Sequence, residues 1–222
     1  MSKPEIISHA FFDWSGVLSN DPIVICEANN RMFEEQGLPR LTLEQWRPRT
    51  RLTAAEIMRD HGIAGTDQEH QEWYHRVLDG VKADGIVPQA YPNAKQLLHL
   101  LKSKGFTIGV LSTHPLAHLR EEADQYGLSS LVSVFMGDSR SKADGIRKLL
   151  SQFGVTNPRH ALYVGDTVYD IQQAKEVGVV SVAVCEGFHD KDRLDTEDPD
   201  FLFDNLNEVL KAVEEDRIAF LN

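Results

Sequence analysis

The sequence predicts an α/β fold: a parallel β-sheet covered by helices on both faces, with a small α-helical domain inserted near the N-terminus. Apolar segments with strand character alternate with amphipathic helices from residue 92 onward. The segment from residue 19 to residue 91 contains helical patterns and no evident strand. Strand–helix alternation with apolar strands is typical of a parallel sheet buried on both sides. We therefore expect a core of residues 1–18 and 92–222 and a helical domain of residues 19–91.

The first predicted strand lies near the N-terminus. The segment Glu5–Asp13 (EIISHAFFD) is mostly apolar and ends in a carboxylate, which we expect at the tip of a central strand. Asn20 or Asp21 can then cap a helix that has Pro22 near its start and runs to about Gln36. Further helical stretches follow, and the segment VPQAYPNA, with its two prolines, is interpreted as a hinge that returns the chain to the core.

After residue 92 the chain alternates regularly between helices and strands. Apolar residues at the spacing of one helix face, followed by Gly105, predict the first helix of this region. Asn205 and Glu208 form the sequence pattern of a capping box at the last helix. The predicted strands are FTIGVLS, VSVFMG, HALYVGD, VVSVAVC and, at an edge, DFLF. The remaining predicted helices are PLAHLREEADQYG, a helix capped by Ser141, and DIQQAKEVG.

Composition and charge restrict the class of partner. The formal net charge is −11, so the surface repels phosphate backbones and anionic lipid, and neither nucleic acid nor a membrane is expected as a partner. Two cysteines far apart indicate neither a zinc site nor a disulfide framework. No signal-peptide pattern and no run of 18 apolar residues is evident, and we expect a cytoplasmic protein. The sequence carries no pattern that predicts an oligomeric state.

Polar residues follow three of the predicted strands directly. Asp13, Ser112 and Asp166 each come after an apolar segment, and ligands of open parallel sheets bind beyond the carboxyl ends of the strands. Asp170 lies one helical turn after Asp166. Carboxylates held together at adjacent strand ends repel one another and call for a cation, and an all-oxygen ligand set suits Mg²⁺. The sequence therefore predicts a magnesium site at this edge of the sheet.

Four short motifs, in this order, resemble those of the haloacid dehalogenase superfamily of hydrolases. They are DWSG at Asp13, VLSTHP with Ser112, a lysine at Lys142, and GDTVYD with Asp166 and Asp170. The resemblance covers essentially the whole chain. It implies a Rossmann-like parallel sheet core with an inserted helical cap domain, and a phosphatase-like hydrolase that acts on a small anionic phosphorylated metabolite with Mg²⁺ as cofactor.

The resemblance also implies roles for individual residues. Asp13 would be the nucleophile, forming an aspartyl-phosphate intermediate. Metal ligands would be Asp13, the backbone carbonyl of Ser15, and Asp166, while Asp170 would hold a metal-bound water or Lys142. In the second motif, Ser112 and the backbone near Thr113 would hold phosphate oxygens. In the third, Lys142 would balance charge.

Ser15 departs from the family's pattern. Phosphatases of this superfamily usually have an aspartate there, which acts as general acid and then as general base, a contribution worth roughly 10²–10⁴-fold. Serine cannot replace it directly. Three alternatives therefore stay open: a phosphatase whose leaving group is good or whose proton comes from His114 or water, a catalytically weakened binding or regulatory protein, and a phosphonate C–P hydrolase. The last class needs a cap lysine, and Lys82, the only lysine of the predicted cap, lies far from the corresponding stretch.

Three arginines lie close together in the predicted cap. Arg47, Arg49 and Arg51 fall in one short segment of an otherwise acidic protein. Arginine binds anions with two parallel hydrogen bonds, so this segment is a candidate for contacting a second anionic group of the substrate. The alternative is a solvated basic loop or a salt bridge between cap and core.

Overall fold

The computed structural model describes residues 5–50, 53–218 and 220–221, and most of the strands form one parallel sheet. The described strands are β1 (Glu5–Ile6), β2 (His9–Phe12), β3 (Thr107–Leu111), β4 (Val134–Met136), β5 (Ala161–Gly165), β6 (Val180–Val184), β7 (Phe201–Phe203) and β8 (Phe220–Leu221). Strands β2 to β7 lie in the order β4-β3-β2-β5-β6-β7, and neighbours are parallel. The predicted α/β, Rossmann-like fold is confirmed.

Helices cover this sheet and form the insert. The described α-helices are α1 (Asp21–Glu35), α2 (Leu43–Trp46), α3 (Ala54–Asp60), α4 (Asp67–Ala83), α5 (Ala94–Ser103), α6 (Leu116–Gln125), α7 (Lys142–Gln152), α8 (Val168–Val177), α9 (Lys191–Asp195) and α10 (Leu206–Glu214). Four of them, α2, α3, α4 and α8, begin with complete capping boxes on Thr42, Thr53, Thr66 and Thr167. Such caps satisfy backbone N–H groups that the first helical turn leaves without partners.

The central strand β2 is covered on both faces, which explains why the residues after His9 are apolar. Ala10 and Phe12 pack into a core cluster on one face of the sheet, which contains the buried residues of α5 and α10. Phe11 points the other way, into a second cluster with Leu149 of α7 and Ala174 of α8. Side chains of a strand alternate between faces, so a strand covered on both sides needs apolar residues at every position.

The helices α1 to α4 lie between β2 and α5 and have a small core of their own, with Met32, Phe33, Ile57 and Met58 buried together. The two chain segments that connect this insert to the sheet run side by side, because Asn20 N–H donates to the Gln89 carbonyl and Tyr91 N–H donates to the Leu18 carbonyl. Among the described residues from 13 to 106, no strand is formed. The domain boundaries at residues 18/19 and 91/92 stay a prediction.

Local details differ from the expectation. The segment Glu5–Asp13 is not one strand: β1 pairs antiparallel with β8, and only β2 enters the main sheet. The capping box at α10 is half formed, because Asn205 accepts from Glu208 N–H while the Glu208 carboxylate accepts from Asp204 N–H instead. Helix α9 was not predicted, and it begins at an Asp190 cap. None of the helices in the described ranges has both the length and the hydropathy needed to cross a lipid bilayer.

Candidate active site

Three adjacent strands deliver polar residues to one edge of the sheet. In β2, Phe12 lies opposite Val110 of β3 and Val164 of β5, so these strands end side by side. Asp13, Ser112 and Asp166 come at or just beyond those ends. All three are buried, with exposed fractions of 8%, 1% and 0%. The register of the parallel strands thus brings the three residues to the carboxyl edge of the sheet, where the sequence predicts them.

A buried lysine holds the Asp13 carboxylate. Lys142, the first residue of α7, donates from Nζ to Asp13 Oδ1 at 2.5 Å and to the Leu111 carbonyl at 3.3 Å. Trp14 N–H donates to the same Oδ1 at 2.7 Å. Burial alone would lower the pKa of Lys142, but the charges of Asp13 and Asp170 outweigh it and raise that pKa, so the ammonium stays charged. Within the described chain, no group donates a hydrogen bond to Asp13 Oδ2.

Asp13, Asp166 and Asp170 form a compact cluster. One carboxylate oxygen of each lies within 4.8 Å of the other two. Burial raises the pKa of Asp13 to about 6, in spite of Lys142. Burial, together with repulsion from Asp170 and Asp13, raises the pKa of Asp166 well above its usual range. Grouping these acids is therefore costly unless a positive charge beyond Lys142 lies among them.

The surroundings of Asp166 fit a bound cation. Its Oδ1 is buried and has no hydrogen-bond partner, whereas Oδ2 accepts from Phe188 N–H at 2.7 Å. A Cβ atom at Gly16 or Gly187 would lie only 2.0 or 2.1 Å from Oδ2, so both loops must approach without side chains. Gly16 also has φ +81°, which favours glycine. An orphaned buried oxygen in an all-oxygen acidic cluster fits a hard divalent cation such as Mg²⁺.

Asp170 is fixed by its own helix. Its Oδ2 accepts from the Thr167 backbone N–H and hydroxyl, closing the capping box of α8, and Oδ1 accepts from the Tyr163 hydroxyl at 3.2 Å. Its Oδ1 also lies 3.8 Å from Lys142 Nζ. The helix cap thus sets the position of an acid that faces Asp13 and Lys142.

The segment after β3 lies beside these acids. The Ser112 hydroxyl is buried and accepts from the His114 N–H at 3.1 Å, which rigidifies the turn before α6. Thr113, between them, is exposed. The structure leaves the expected role of Ser112 and Thr113 in phosphate binding as a prediction.

Ser15 and His114 meet, and a glutamate that the sequence reasoning missed lies behind them. Ser15 Oγ is 3.2 Å from His114 Nε2, and His114 Nδ1 is 3.6 Å from Glu122 Oε2. The Trp14 indole donates to the same Glu122 oxygen at 2.8 Å and stacks on Tyr126. These contacts form a chain of polar groups from Glu122 through His114 to Ser15, which stands two residues from Asp13.

The charges in this chain favour a protonated imidazole. Contact with the Glu122 carboxylate raises the pKa of His114, and the nearby charges of Asp21 and Asp13 act in the same direction against burial. Burial tends to raise the pKa of Glu122, but the polar contacts of His114 and Trp14 outweigh it, so that this pKa is lowered. The ion pair Glu122⁻–His114⁺ is the form that these shifts stabilise.

A cavity of about 510 Å³ opens next to this chain, between the insert and α6. Its lining includes His114, Glu122, Asp21 and Lys82, but not Asp13, so it adjoins the acid cluster and does not contain it. Asp21, considered above only as a helix cap, is buried; its Oδ2 has no hydrogen-bond partner, and burial raises its pKa. Lys82, set aside because of its sequence position, lines the cavity because α4 runs back toward the core.

The arginines of the insert occupy different settings. Arg47 donates to the backbone carbonyls of Gly187 at 2.8 Å and Glu186 at 2.5 Å, in the loop that also supplies Phe188 N–H to Asp166. Arg49 is exposed and donates to the Gln45 carbonyl. Arg51 lies outside the described residues. Arg47 therefore links the insert to the core through hydrogen bonds to backbone carbonyls, whereas the alternative offered for this segment was a salt bridge.

A family model described as haloacid dehalogenase-like hydrolase matches residues 10–184. The chain belongs to that family. The match spans the acids Asp13, Asp166 and Asp170 as well as Lys142. The resemblance stated from four motifs is thereby confirmed, and the enzyme is a phosphatase-type hydrolase of this family.

Curated relatives and a solved structure agree with this assignment. This chain is 29% identical to a phosphoglycolate phosphatase from Synechococcus elongatus, over 91% of its own length and 95% of that protein. It is 26% identical to one from Aliivibrio fischeri, over 91% and 94%. A haloacid dehalogenase-like family hydrolase from Streptococcus pneumoniae is similar in structure, with a TM-score of 0.72, 26% identity, and coverage of 92% of this chain and 97% of that one.

Proposed function

We propose that this hydrolase is a Mg²⁺-dependent phosphatase of a small phosphorylated carboxylate of the phosphoglycolate class, with Asp13 as nucleophile. The observation that carries the proposal is the arrangement of Asp13, with Oδ1 held by Lys142 and Trp14 N–H, beside the carboxylates of Asp166 and Asp170. The relatives named phosphoglycolate phosphatase support the substrate class.

The acid cluster supports the cofactor. Asp13, Asp166 and the backbone carbonyl of Ser15 would hold Mg²⁺, with Asp170 beside them. When bound, this ion would offset the repulsion between the carboxylates and an anionic phosphate. Lys142 supplies further positive charge at Asp13 Oδ1, and the ion pair aims Oδ2 away from that contact. At the neighbouring strand end, Ser112 Oγ and the backbone at Thr113 would hold phosphate oxygens.

In the first step, Asp13 Oδ2 attacks phosphorus and the bond from phosphorus to the alcohol oxygen breaks. The departing oxygen takes a proton from the Ser15 hydroxyl, which is replenished from His114 Nε2 across the 3.2 Å contact. In the second step, water attacks the aspartyl-phosphate and its proton returns through Ser15 to His114. Glu122 keeps the imidazole oriented and charged before the first step. The serine hydroxyl would thus carry a proton that it cannot supply by its own acidity.

The cavity supports recognition of a second anion. Lys82 brings a cation to a lining that otherwise contains acids such as Asp21 and Glu122. A substrate carboxylate would be repelled by these acids and attracted to Lys82, which fixes the direction in which the substrate enters. Arg47 is less suited to this role, because its guanidinium already donates to the loop at residues 186–187.

The proposal is tested by a turnover screen with phosphoglycolate, alkyl and aryl phosphates, acyl phosphates and phosphonoacetaldehyde, each with and without Mg²⁺. We expect Mg²⁺-dependent release of phosphate from phosphoglycolate, and loss of that activity on treatment with EDTA. Full activity after metal removal would contradict the cofactor. Phosphonoacetaldehyde is included because Lys82 lines the cavity, and its cleavage with borohydride-trappable labelling of Lys82 would favour the C–P hydrolase instead. No turnover of any compound would favour the binding or regulatory protein.

The nucleophile is tested with Asp13→Asn. We expect this variant to lose hydrolysis entirely, because the amide is a poor nucleophile. With ³²P-labelled substrate and acid quench, we expect wild-type enzyme to be labelled and the variant not. Asp79→Asn, on the exposed side of α4, is the matched control and should keep both. Retained hydrolysis by purified Asp13→Asn would end the covalent mechanism.

A further inference from the structure

A second group of potential metal ligands lies at the start of α6, beside the aspartate cluster and separate from it. One ligand atom from each of His114, His118 and Glu122 lies within 4.8 Å of the other two. His118 and Glu122 are four residues apart and therefore share one face of the helix, and His114 precedes its first turn. We propose that these three residues form a binding site for a Zn²⁺-class transition metal ion, distinct from the magnesium site, and that its occupation suppresses turnover.

The separations between ligand atoms match those around such an ion. His118 Nε2 is 3.4 Å from Glu122 Oε1, and His114 Nδ1 is 3.6 Å from Glu122 Oε2. Zinc–nitrogen and zinc–oxygen bonds of about 2.0–2.2 Å place tetrahedral ligands roughly 3.3–3.6 Å apart. Two histidines and one glutamate, with a fourth position open, form a known zinc ligand set. Each histidine nitrogen thus lies at such a separation from one oxygen of the Glu122 carboxylate, and the two nitrogens face different oxygens.

The groups behind the ligands are also those that a metal site needs. The ring of His114 contacts Ser15 Oγ through Nε2 at 3.2 Å, which orients the ring so that Nδ1 faces Glu122, and Nδ1 is buried without a hydrogen-bond partner. The Trp14 indole donates to Glu122 Oε2 at 2.8 Å. Hydrogen bonds of this kind orient ligating histidines and carboxylates and raise metal affinity.

An independent observation points to a cation here. Asp21 lines the same cavity as the three ligands, is only 8% exposed, and has an Oδ2 without a hydrogen-bond partner. Together with Glu121 and Glu122, it makes this part of the cavity acidic. A buried carboxylate oxygen that lacks a hydrogen-bond partner is stabilised by a positive charge brought next to it. The imidazole ligands select for transition metals, since Mg²⁺ prefers oxygen.

Occupation of the site has a consequence that rests on the proposed function. A metal bound to His114 Nδ1 and to the Glu122 carboxylate would take the place of the proton between them, so the ion pair that supplies a proton to Ser15 would be lost. The path from His114 to Ser15 is then closed, although Asp13 and its ligands are unchanged. We expect alkyl phosphates, which need that proton, to be inhibited more strongly than aryl phosphates.

Binding is measured on the full chain, stripped of metal and supplied with excess Mg²⁺, by calorimetric titration with Zn²⁺ and by the visible absorption of Co²⁺. We expect one site with tetrahedral Co²⁺ bands. His118→Ala should weaken binding by more than the roughly 10- to 100-fold that loss of an outer hydrogen bond costs. His99→Ala, an exposed histidine on α5, is the matched control and should bind as wild type does. Equal Zn²⁺ affinity in wild type and His118→Ala would overturn the site.

Two further arms separate this inference from the proposed function. Asp13→Asn should still bind Zn²⁺ at this site, even though we expect it to be inactive; loss of the Co²⁺ bands in Asp13→Asn would move the ion to the aspartate cluster and contradict the proposal. The ratio of activity with Zn²⁺ to activity without it should be low in wild type and near one in His118→Ala. If Zn²⁺ binds through His118 and that ratio is nonetheless the same in both, the regulatory consequence is wrong.

Discussion

The departure from the family's first motif at Ser15 is accompanied by a connected set of contacts that involves Trp14 and His114. Trp14 is fully buried, and its indole fixes Glu122 at 2.8 Å. Glu122 in turn contacts His114, which reaches Ser15. A serine alone could not replace the missing acid, but a serine hydrogen-bonded to a charged imidazole can pass a proton on. The unusual residues around Asp13 are therefore connected to one another and not independent substitutions.

The pH profile should report His114. Contact with Glu122 raises its pKa, and the other charged groups facing it, Asp21 and Asp13, act in the same direction. In the proposed mechanism the protonated imidazole supplies the proton when Asp13 attacks phosphorus. Therefore kcat for alkyl phosphates should fall as the pH rises through this raised pKa. In Glu122→Gln the carboxylate is lost, and the alkaline limb should move to lower pH. The measurement is kcat against pH in wild type and Glu122→Gln; an unmoved limb would assign it to another group.

At this scale the sequence predicts the acids well and their helpers poorly. Asp13, Asp166 and Asp170 could be anticipated because motifs at strand ends are brought together by the register of parallel strands. Glu122 could not, because it interacts with Trp14 across 108 residues and is one of several acids on an exposed helix pattern. Likewise, Asp21 matches the pattern of a helix cap, and only the packing of α1 against the core shows that it is buried beside His114.

At the scale of elements, one loop joins the insert to the aspartate cluster. Residues 186–188 follow β6, and their carbonyls accept from Arg47 and from the Tyr91 and Thr50 hydroxyls. The same loop gives Phe188 N–H to Asp166. Arg47 therefore positions a loop that touches the active site, which explains why an arginine in the insert can matter without contacting substrate.

Replacing Arg47 tests this link. Arg47→Ala removes two hydrogen bonds from a charged donor to backbone carbonyls, and we expect a loss of about 1.5–3 kcal/mol in the free energy of unfolding. Activity toward phosphoglycolate and p-nitrophenyl phosphate should fall by the same factor. Arg49→Ala, on the exposed side, should change little. The measurements are thermal unfolding and kcat/KM for both substrates. A loss of activity confined to phosphoglycolate would show that Arg47 binds the carboxylate of that substrate.

The differences from the predicted elements have local causes. The strand pattern of EIISHAFFD is continuous, but backbone partners decide its pairing: residues 5–6 pair with β8, whereas residues 9–12 pair with β3 and β5. Hydrophobic pattern alone does not report such a change of partner. At α10 the pattern of a capping box is present, yet Glu208 bonds to the preceding residue Asp204 instead.

At the scale of the whole molecule, the proposed function requires an enzyme with a net charge of −11 to bind an anionic substrate. The positive charges are placed locally: Lys142 lies beneath the acid cluster, and Lys82 faces the cavity from the insert. That nucleic acid and anionic lipid are not partners stays a prediction from the composition. The cytoplasmic location stays a prediction.

Lys82 offers a test of how the insert reads the substrate. Lys82→Ala should reduce kcat/KM for phosphoglycolate by roughly 10- to 150-fold, the range expected for one charge-assisted contact, and leave p-nitrophenyl phosphate nearly unchanged. Lys211→Ala, an exposed lysine of α10, is the matched control. Equal effects of Lys82→Ala on both substrates would place the carboxylate-binding group elsewhere.

The central claim, that Ser15 passes a proton supplied by His114, is tested most directly by the dependence of kcat/KM on the pKa of the leaving alcohol. Wild-type enzyme, Ser15→Ala and His114→Gln are compared over a series from aryl to alkyl phosphates. The account predicts a shallow slope for wild type and a steep one for both variants, with alkyl phosphates losing about 10²-fold or more and aryl phosphates little. Identical slopes in all three enzymes would contradict it.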